Sequence, residues 1–251
     1  MDKDYWDSVA DLFDEEVLKI LDRDRSGVLK ASIAEVASLR KSVADFGCGN
    51  GSLLPVLAPL FHHVHAIDHS SNLLADARRR NTAADNIRYE QADLSLPFRI
   101  ARKVDALLCI NVLIQPDAEV RECIFENVVA SLKHRGTLIL VVPAYESLLH
   151  TYQTIVEINI ALGIRRKQAV SEIEAVFREE VLSPIRGTVM LGTEPTKLHT
   201  REEITTLLSD HGMKSMVTRR IEYDWSEMID NAPAGLGEPY PWDWLVIARK
   251  P

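Results

Sequence analysis

Val43-Ala44-Asp45-Phe46-Gly47-Cys48-Gly49-Asn50-Gly51 is the stretch on which the reading of the chain turns. A short apolar run ends at an acid, glycines follow at alternate positions, and Leu53, Leu54, Val56 and Leu57 resume the apolar pattern. That order predicts a buried strand, a tight turn and a helix entered at its N-terminus. Glycines permit positive φ and let backbone approach a ligand where a Cβ would clash. A helix start adds free N–H groups and a positive dipole end, suited to a nucleotide-like or carboxylate-bearing ligand. A purely structural strand-to-helix turn has the same look, so the neighbouring segments decide.

Val64-His65-Ala66-Ile67 reads as a second strand ending at Asp68, 21 residues past Gly47. That is close to the ~20-residue offset at which an acid accepts ribose hydroxyls in nucleotide-binding βαβ units. Ser71–Arg80 reads as a helix with Leu73, Leu74 and Ala77 on one face, and Ile87–Gln91 alternates like a strand before Ala92-Asp93. Val104–Ile110 is apolar except for Asp105, as in a strand buried on both faces, and Asn111 follows it. Residues 118–135 place Val120, Ile124, Val128 and Leu132 on one stripe, with Lys133, His134 and Arg135 in the last turn and Gly136 as the stop. Thr137–Val142 is the fifth strand. Strands alternating with helices specify a doubly wound parallel sheet, whose ligands bind beyond the carboxyl ends of the strands. Asp45 to Gly51, Asp68, Asp93 and Asn111 all fall on that edge.

The flanks add a frame. Trp6, Val9, Phe13, Val17 and Leu21 give residues 5–21 the spacing of an amphipathic helix. Most of that stripe reads as core packing, with Tyr5 and Trp6 the contacts of a lid. Ser32–Leu39 reads as a second short helix. Residues 144–182 read as a long helical stretch interrupted near Gly163, followed by an irregular loop over 183–198. Thr200-Arg201-Glu202-Glu203 is a capping box opening a helix that stops near Gly212. Residues 214–224 and Trp242–Lys250 read as strands. A single domain over 1–251 is expected: an N-terminal helical lid (1–40), a ligand-binding core (41–143), a helical insertion shaping a pocket (144–199), and a closing helix with strands (200–251).

Composition narrows the partners. A net charge of −8, with no basic run beyond Arg78-Arg79-Arg80 and Arg165-Arg166-Lys167, argues against a nucleic-acid surface. Cys48, Cys109 and Cys123 lack metal-ligand spacing and read as buried reduced thiols, and no Cys/His cluster suggests a metal. The acidic N-terminus has no apolar signal region, and Leu138–Pro143 is far too short to span a bilayer. A cytoplasmic location is expected. Oligomeric state has no signal in the sequence.

Asp45-Phe46-Gly47-Cys48-Gly49-Asn50-Gly51 resembles the D/E-x-G-x-G-x-G motif of the class I S-adenosylmethionine-dependent methyltransferases, and the likeness extends over roughly residues 40–143. The resemblance implies a seven-stranded, mostly parallel Rossmann-like sheet with helices on both faces and an antiparallel last strand, here Trp242–Lys250. It implies S-adenosylmethionine as cofactor and S-adenosylhomocysteine as product. Gly47 and Gly49, with Cys48, Asn50 and Gly51 of the same turn, would pass the aminocarboxypropyl tail, and Asp45 would help hold its ammonium. Asp68 would take the ribose hydroxyls, His69 and Leu94 would flank adenine, and Asp93 would accept from its exocyclic amine. Asn111 would lie near the methionine moiety. A dinucleotide dehydrogenase is the rival. Its fingerprint wants a third glycine at position 52, where Ser52 stands.

Methyl transfer needs alignment of the acceptor and exclusion of water, and a base only when the acceptor must first lose a proton. Candidate bases or acceptor contacts are His150, His199 and Tyr145, with Tyr5, Trp6 and Tyr152 as further pocket residues. Tyr223, Trp225, Tyr240, Trp242 and Trp244 read mainly as packing on the sheet edge. A small-molecule acceptor is the leading reading. A protein or RNA substrate and a non-catalytic binding scaffold are the alternatives.

Overall fold

A computed structural model describes residues 20–251. The helix expected over 5–21, including Tyr5 and Trp6, lies almost wholly outside the described residues. Gly27, at φ 67°, opens helix α1 (Val28–Val36), and Asp24 Oδ2 accepts from Leu29 N–H at 2.7 Å in its first turn. Strand β1 (Ser38–Phe46) follows at once. The expected helix Ser32–Leu39 is therefore displaced: α1 ends at Val36, and residues 38–40, assigned to a lid, are already sheet. Leu39 misleads because it is apolar yet 68% exposed, on a strand rather than at a helix end. Lys41 Nζ closes α1 by donating to Val36 O at 2.6 Å.

The chain then runs through α2 (Leu54–Leu57), β2 (Phe61–Asp68), α3 (Ser71–Arg80), β3 (Ile87–Gln91), β4 (Val104–Ile110), α4 (Ala118–Ser131) and β5 (Leu132–Pro143). After these come α5 (Tyr145–Ala161), α6 (Arg166–Glu180), β6 (Val181–Ser183), β7 (Thr188–Leu191), β8 (Glu194–Lys197), α7 (Arg201–Asp210), β9 (Lys214–Glu222) and β10 (Trp242–Arg249). The main sheet has the order β3-β2-β1-β4-β5-β10-β9, and β10 runs antiparallel to both of its neighbours. This is the seven-stranded, mostly parallel Rossmann-like sheet with an antiparallel last strand that the resemblance implies.

Alternation along the strands builds two cores. Ala44 and Phe46, Leu107 and Cys109, Leu138 and Leu140, and Trp244 and Val246 face Ile124, Phe125 and Val128 of α4 and Ile204 and Leu208 of α7. Val43, Val64, Ala106, Leu108, Ile139 and Leu245 face the other way, onto Leu29 and Ile33 of α1, Leu54 and Leu57 of α2, and Leu74 and Ala77 of α3. Full burial of each such Leu or Ile contributes roughly 1.5–3 kcal/mol, which is what can hold strained turns at the strand ends. Cys48 and Cys109 are buried as expected, but Cys123 is partly exposed.

Two expectations fail for identifiable reasons. Helix α4 ends at Ser131 rather than 135: Leu132 is already extended, and Arg135 turns through φ 60° into the body of β5. Lys133 leaves the helix to pair with Asp105 of β4 at 2.9 Å. The carbonyls at the end of α4 are capped instead by Lys250, which donates to Val129 O and Leu132 O at 2.6 and 3.0 Å. The insertion is also more than helical. Gly163, at φ 94°, breaks α5 from α6 as expected, but the loop expected over 183–198 forms the three-stranded sheet β6-β7-β8. Gly192, at φ 60°, supplies the positive φ of the two-residue hairpin closed by Leu191 and Glu194, and Pro195 sits on the edge strand β8, where a missing N–H is tolerated. No helix among the described residues is long and apolar enough to cross a membrane.

Candidate functional site

The glycine turn joins β1 to α2 and folds back over the end of β2. The N–H groups of Gly47 and Cys48 both donate to Ile67 O, at 2.8 and 3.0 Å. Gly47, Gly49 and Gly51 all adopt positive φ, at 71°, 53° and 77°. Packing adds to the requirement at Gly47, because a Cβ there would stand 2.6 Å from Val112 Cγ2. The helix expected after the turn is a single turn, Leu54–Leu57, with Pro55 inside it. No long helix therefore starts at this turn, and the turn's own backbone is what it offers to a ligand.

Two carboxylates flank the turn. Asp68, at the end of β2, is buried and accepts from Gly49 N–H through Oδ2 and from Ser70 N–H through Oδ1, each at 2.9 Å. Burial raises its pKa, and those amides pull it back. Asp45 is also fully buried, and its Oδ2 has no hydrogen-bond partner among the described residues. Burial, with the Asp68 charge beside it, pushes Asp45 up to about 7. A buried carboxylate oxygen without a donor costs free energy that a bound cation or N–H would recover.

The row continues on both sides. Because β3, β2, β1 and β4 are neighbours, Asp93, Asp68, Asp45 and Asn111 lie at successive strand ends, spread over about 14 Å at a strand spacing of ~4.8 Å. Asp93 is exposed and its Oδ1 accepts from Ser95 N–H and Ser95 Oγ, at 2.9 and 2.6 Å. Leu94 is buried. His69 Nε2 is buried without a partner among the described residues. Asn111 holds φ 54°, unusual for a residue with a side chain, and its Oδ1 is likewise buried and unpartnered among the described residues. Orphaned polar atoms at Asp45, His69 and Asn111 thus converge on the carboxyl edge. Asn127, which the sequence reading missed, supports this edge from α4: its amide donates to Leu94 O and Leu96 O, at 2.9 and 2.8 Å, and accepts from Phe98 N–H at 2.9 Å. The signal was present, a lone amide inside the apolar stripe of Ile124 and Val128.

The acceptor candidates separate. His199 is buried where β5 ends: its N–H donates to Pro143 O at 2.8 Å, and its Nε2 donates to Leu113 O at 2.7 Å. Burial lowers its pKa to about 4, so the ring is neutral. His150 lies in an aromatic cluster, 5.4 Å from the Trp225 ring and 6.0 Å from that of Trp242, and donates to Pro239 O at 2.8 Å. Tyr145 packs against the insertion's own core. Tyr152 is the clear correction. It is buried inside that core against Phe177, with its hydroxyl donating to Glu180 Oε2 at 2.6 Å, so it faces no acceptor. A buried pair also emerged that sequence reasoning did not join: Tyr223 Oη donates to Asp243 Oδ2 at 2.6 Å, and burial raises Asp243 to about 6.

His199 yields a pH prediction. Below its ordinary 6.5 the unfolded chain takes up a proton that the folded ring refuses, so stability present above about 6.5 is lost as pH falls toward 4. Thermal unfolding of the wild type and His199→Gln is expected to show their stability difference shifting by roughly 2–3 kcal/mol against the wild type between pH 7 and pH 4. A difference independent of pH would remove His199 as a buried neutral ring.

Residues 43–136 match a family model described as a methyltransferase domain. No curated protein matches the chain. Among solved structures, the DhpI-SAM-HEP complex is 18% identical with a TM-score of 0.62, covering 99% of this chain and 95% of that one. The N-methyltransferase NodS from Bradyrhizobium japonicum WM9, in complex with S-adenosyl-L-homocysteine, is 14% identical with a TM-score of 0.60, covering 98% and 99%. Magnesium protoporphyrin IX methyltransferase (ChlM) from Synechocystis PCC 6803, with bound SAH, is 17% identical with a TM-score of 0.60, covering 99% and 97%.

Proposed function

We propose that this chain is a class I S-adenosylmethionine-dependent methyltransferase that transfers the methyl group to a small-molecule acceptor. The observation that carries the reading is the buried, unpartnered Asp45 oxygen beside a turn in which a Cβ at Gly47 would collide with Val112. Such a place suits an ammonium group on a tail that runs along bare backbone. S-adenosylmethionine, when bound, supplies a methyl group on a positively charged sulfur, open to displacement by an acceptor lone pair. Asp45 would hold the ammonium, and Gly47 to Gly51 would line the tail. Asp68, already fixed by two amides, has lone pairs left for ribose hydroxyls. Asn111 Oδ1 offers an acceptor near the methionine part, while His69, Leu94 and Asp93 would receive adenine.

The acceptor would sit between this edge and the insertion, whose own core of Tyr152, Val181, Val189 and Leu198 makes it a stable cap. ChlM, named for magnesium protoporphyrin IX, supports a small-molecule acceptor on this fold. His199 acts as a positioning residue: its Nε2–H ties the segment after β4 to the end of β5. With a pKa near 4 it is too weak a base to deprotonate an alcohol at neutral pH. The chemistry therefore rests on alignment and exclusion of water, with an acceptor that is already a nucleophile.

Calorimetry with S-adenosylmethionine, S-adenosylhomocysteine and NAD tests the reading. Micromolar binding of the sulfur compounds and none of NAD is expected, and failure of both sulfur compounds to bind would leave only a scaffold role. Asp45 adds a pH signature. A carboxyl titrating near 7 in the free protein must ionise to hold an ammonium, so affinity for S-adenosylmethionine should rise about tenfold from pH 6 to pH 8. Asp45→Asn should flatten that rise. A wild-type affinity that is level or falls across the interval would take Asp45 out of the site.

A further inference from the structure

At the amino end of the parallel strands, opposite the candidate cofactor row, lies a depression of about 680 Å³ lined by His134, Arg135, Lys214, Met216, Arg249 and Lys250. Every charged side chain in that lining is basic, on a chain of net charge −8. An adjoining cavity of about 330 Å³ shares Met216 and Arg249 and extends the surface to Lys41 and Arg219. Its one acid, Glu35, is already paired with Arg219 at 2.8 and 3.1 Å. The linear sequence hides this face, because its cations come from the first part of β5, the start of β9 and the end of β10. The antiparallel course of β10 brings Arg249 beside Thr137 and Lys214.

Some of this charge has a local explanation. Lys250 caps the carbonyls at the end of α4, and Lys133 nearby belongs to Asp105. Arg135, Lys214 and Arg249 have no such partner: among the described residues no carboxylate lies within ion-pair distance of them. Lys214 and Arg249 are direct cross-strand partners in the β9–β10 ladder, a like-charge placement that works against the sheet. Arg249 Nε donates to the carbonyl of Arg135 at 3.3 Å, and Arg135 itself sits at φ 60°. A concave surface that holds like charges opposed, with only backbone to relieve them, is suited to a multivalent anion.

We propose that this depression binds a phosphate-rich anion, at a site separate from the methyl-transfer edge. Linked phosphates match several cations a few ångströms apart, and they can come from a small polyphosphate-bearing molecule or from the backbone of RNA. The proposal is independent of the methyltransferase reading, because it stands on the opposite edge of the sheet.

The test is titration of the full chain with inorganic tripolyphosphate, at low salt and at roughly 0.3 M salt, followed by a short oligouridylate. Lys214→Glu is the informative variant, since it places a carboxylate opposite Arg249 and should raise the melting temperature while weakening tripolyphosphate binding at least tenfold. Arg165→Glu, an equal charge reversal on the insertion, should leave binding unchanged. Wild-type binding that weakens with salt and is lost in Lys214→Glu supports the site. Tighter binding of the oligouridylate then assigns the phosphates to RNA, and tighter binding of tripolyphosphate assigns them to a small polyanion. No binding of either probe at low salt overturns the proposal. So does equal affinity in Lys214→Glu, or an equal loss in Arg165→Glu. S-adenosylmethionine binding, measured alongside, should be the same in all three proteins.

Discussion

Asp68→Ala is expected to weaken S-adenosylmethionine binding by about 2–4 kcal/mol, roughly 30- to 1000-fold, and to lower the melting temperature as well. Loss of charge-assisted hydrogen bonds to a ribose accounts for only part of that range. Asp68 also holds the glycine turn in place, through Gly49 N–H on one oxygen and Ser70 N–H on the other. Alanine would leave both amides without their acceptor at a buried site and let the turn lose its shape before any ligand arrives. Asp68→Asn separates the two roles. Its single carbonyl oxygen can keep one amide, but its NH₂ must then face the other N–H, donor against donor. The expected order of affinity is wild type, then Asn, then Ala, with melting temperatures in the same order. Calorimetry and thermal unfolding on the three proteins decide it. Unchanged affinity in Asp68→Ala would detach this carboxylate from the cofactor altogether.

Which parts of this were legible beforehand follows from the range of the interactions. Strand ends could be read because acid, glycine and amide residues interrupt apolar runs locally, as at Asp45, Asp68 and Asn111. Helix ends set by distant residues could not. Lys133, His134 and Arg135 look like the last turn of α4. The cation that caps it is Lys250, more than a hundred residues away in sequence, and Asp105 draws Lys133 into the sheet. Tyr152 failed for a similar reason. Its helix was read correctly, but its facing depends on Phe177 and Glu180, which belong to the next helix. The basic depression shows the same limit at the level of charge. A search for runs of Lys and Arg finds Arg78-Arg79-Arg80, two of which pair with Asp76, and misses cations that only strand order brings together.

Gly47→Ala should cost about 2–5 kcal/mol of stability and abolish measurable cofactor binding. Two separate penalties add. A residue with a side chain held at φ 71° loses roughly 1–2 kcal/mol relative to glycine, and a methyl group forced into a filled space costs roughly 1–3 kcal/mol. The collision is with Val112 Cγ2 at 2.6 Å, and Val112 cannot easily turn aside, because β-branching stiffens its χ1 and Asn111 before it already sits at φ 54°. Any retreat by Val112 therefore passes to Asn111, so one methyl disturbs both ends of the proposed methionine site. Val112→Ala offers the way to divide the cost. In the double variant the overlap is gone and the strained φ remains, so about half of the lost stability should return relative to the sum of the single changes. Cofactor binding should return only in part, since the turn would still press toward a conformation that alanine resists. A double variant no more stable than Gly47→Ala alone would mean that the contact with Val112 is not what reserves this position for glycine. The backbone conformation would then have to carry the whole effect.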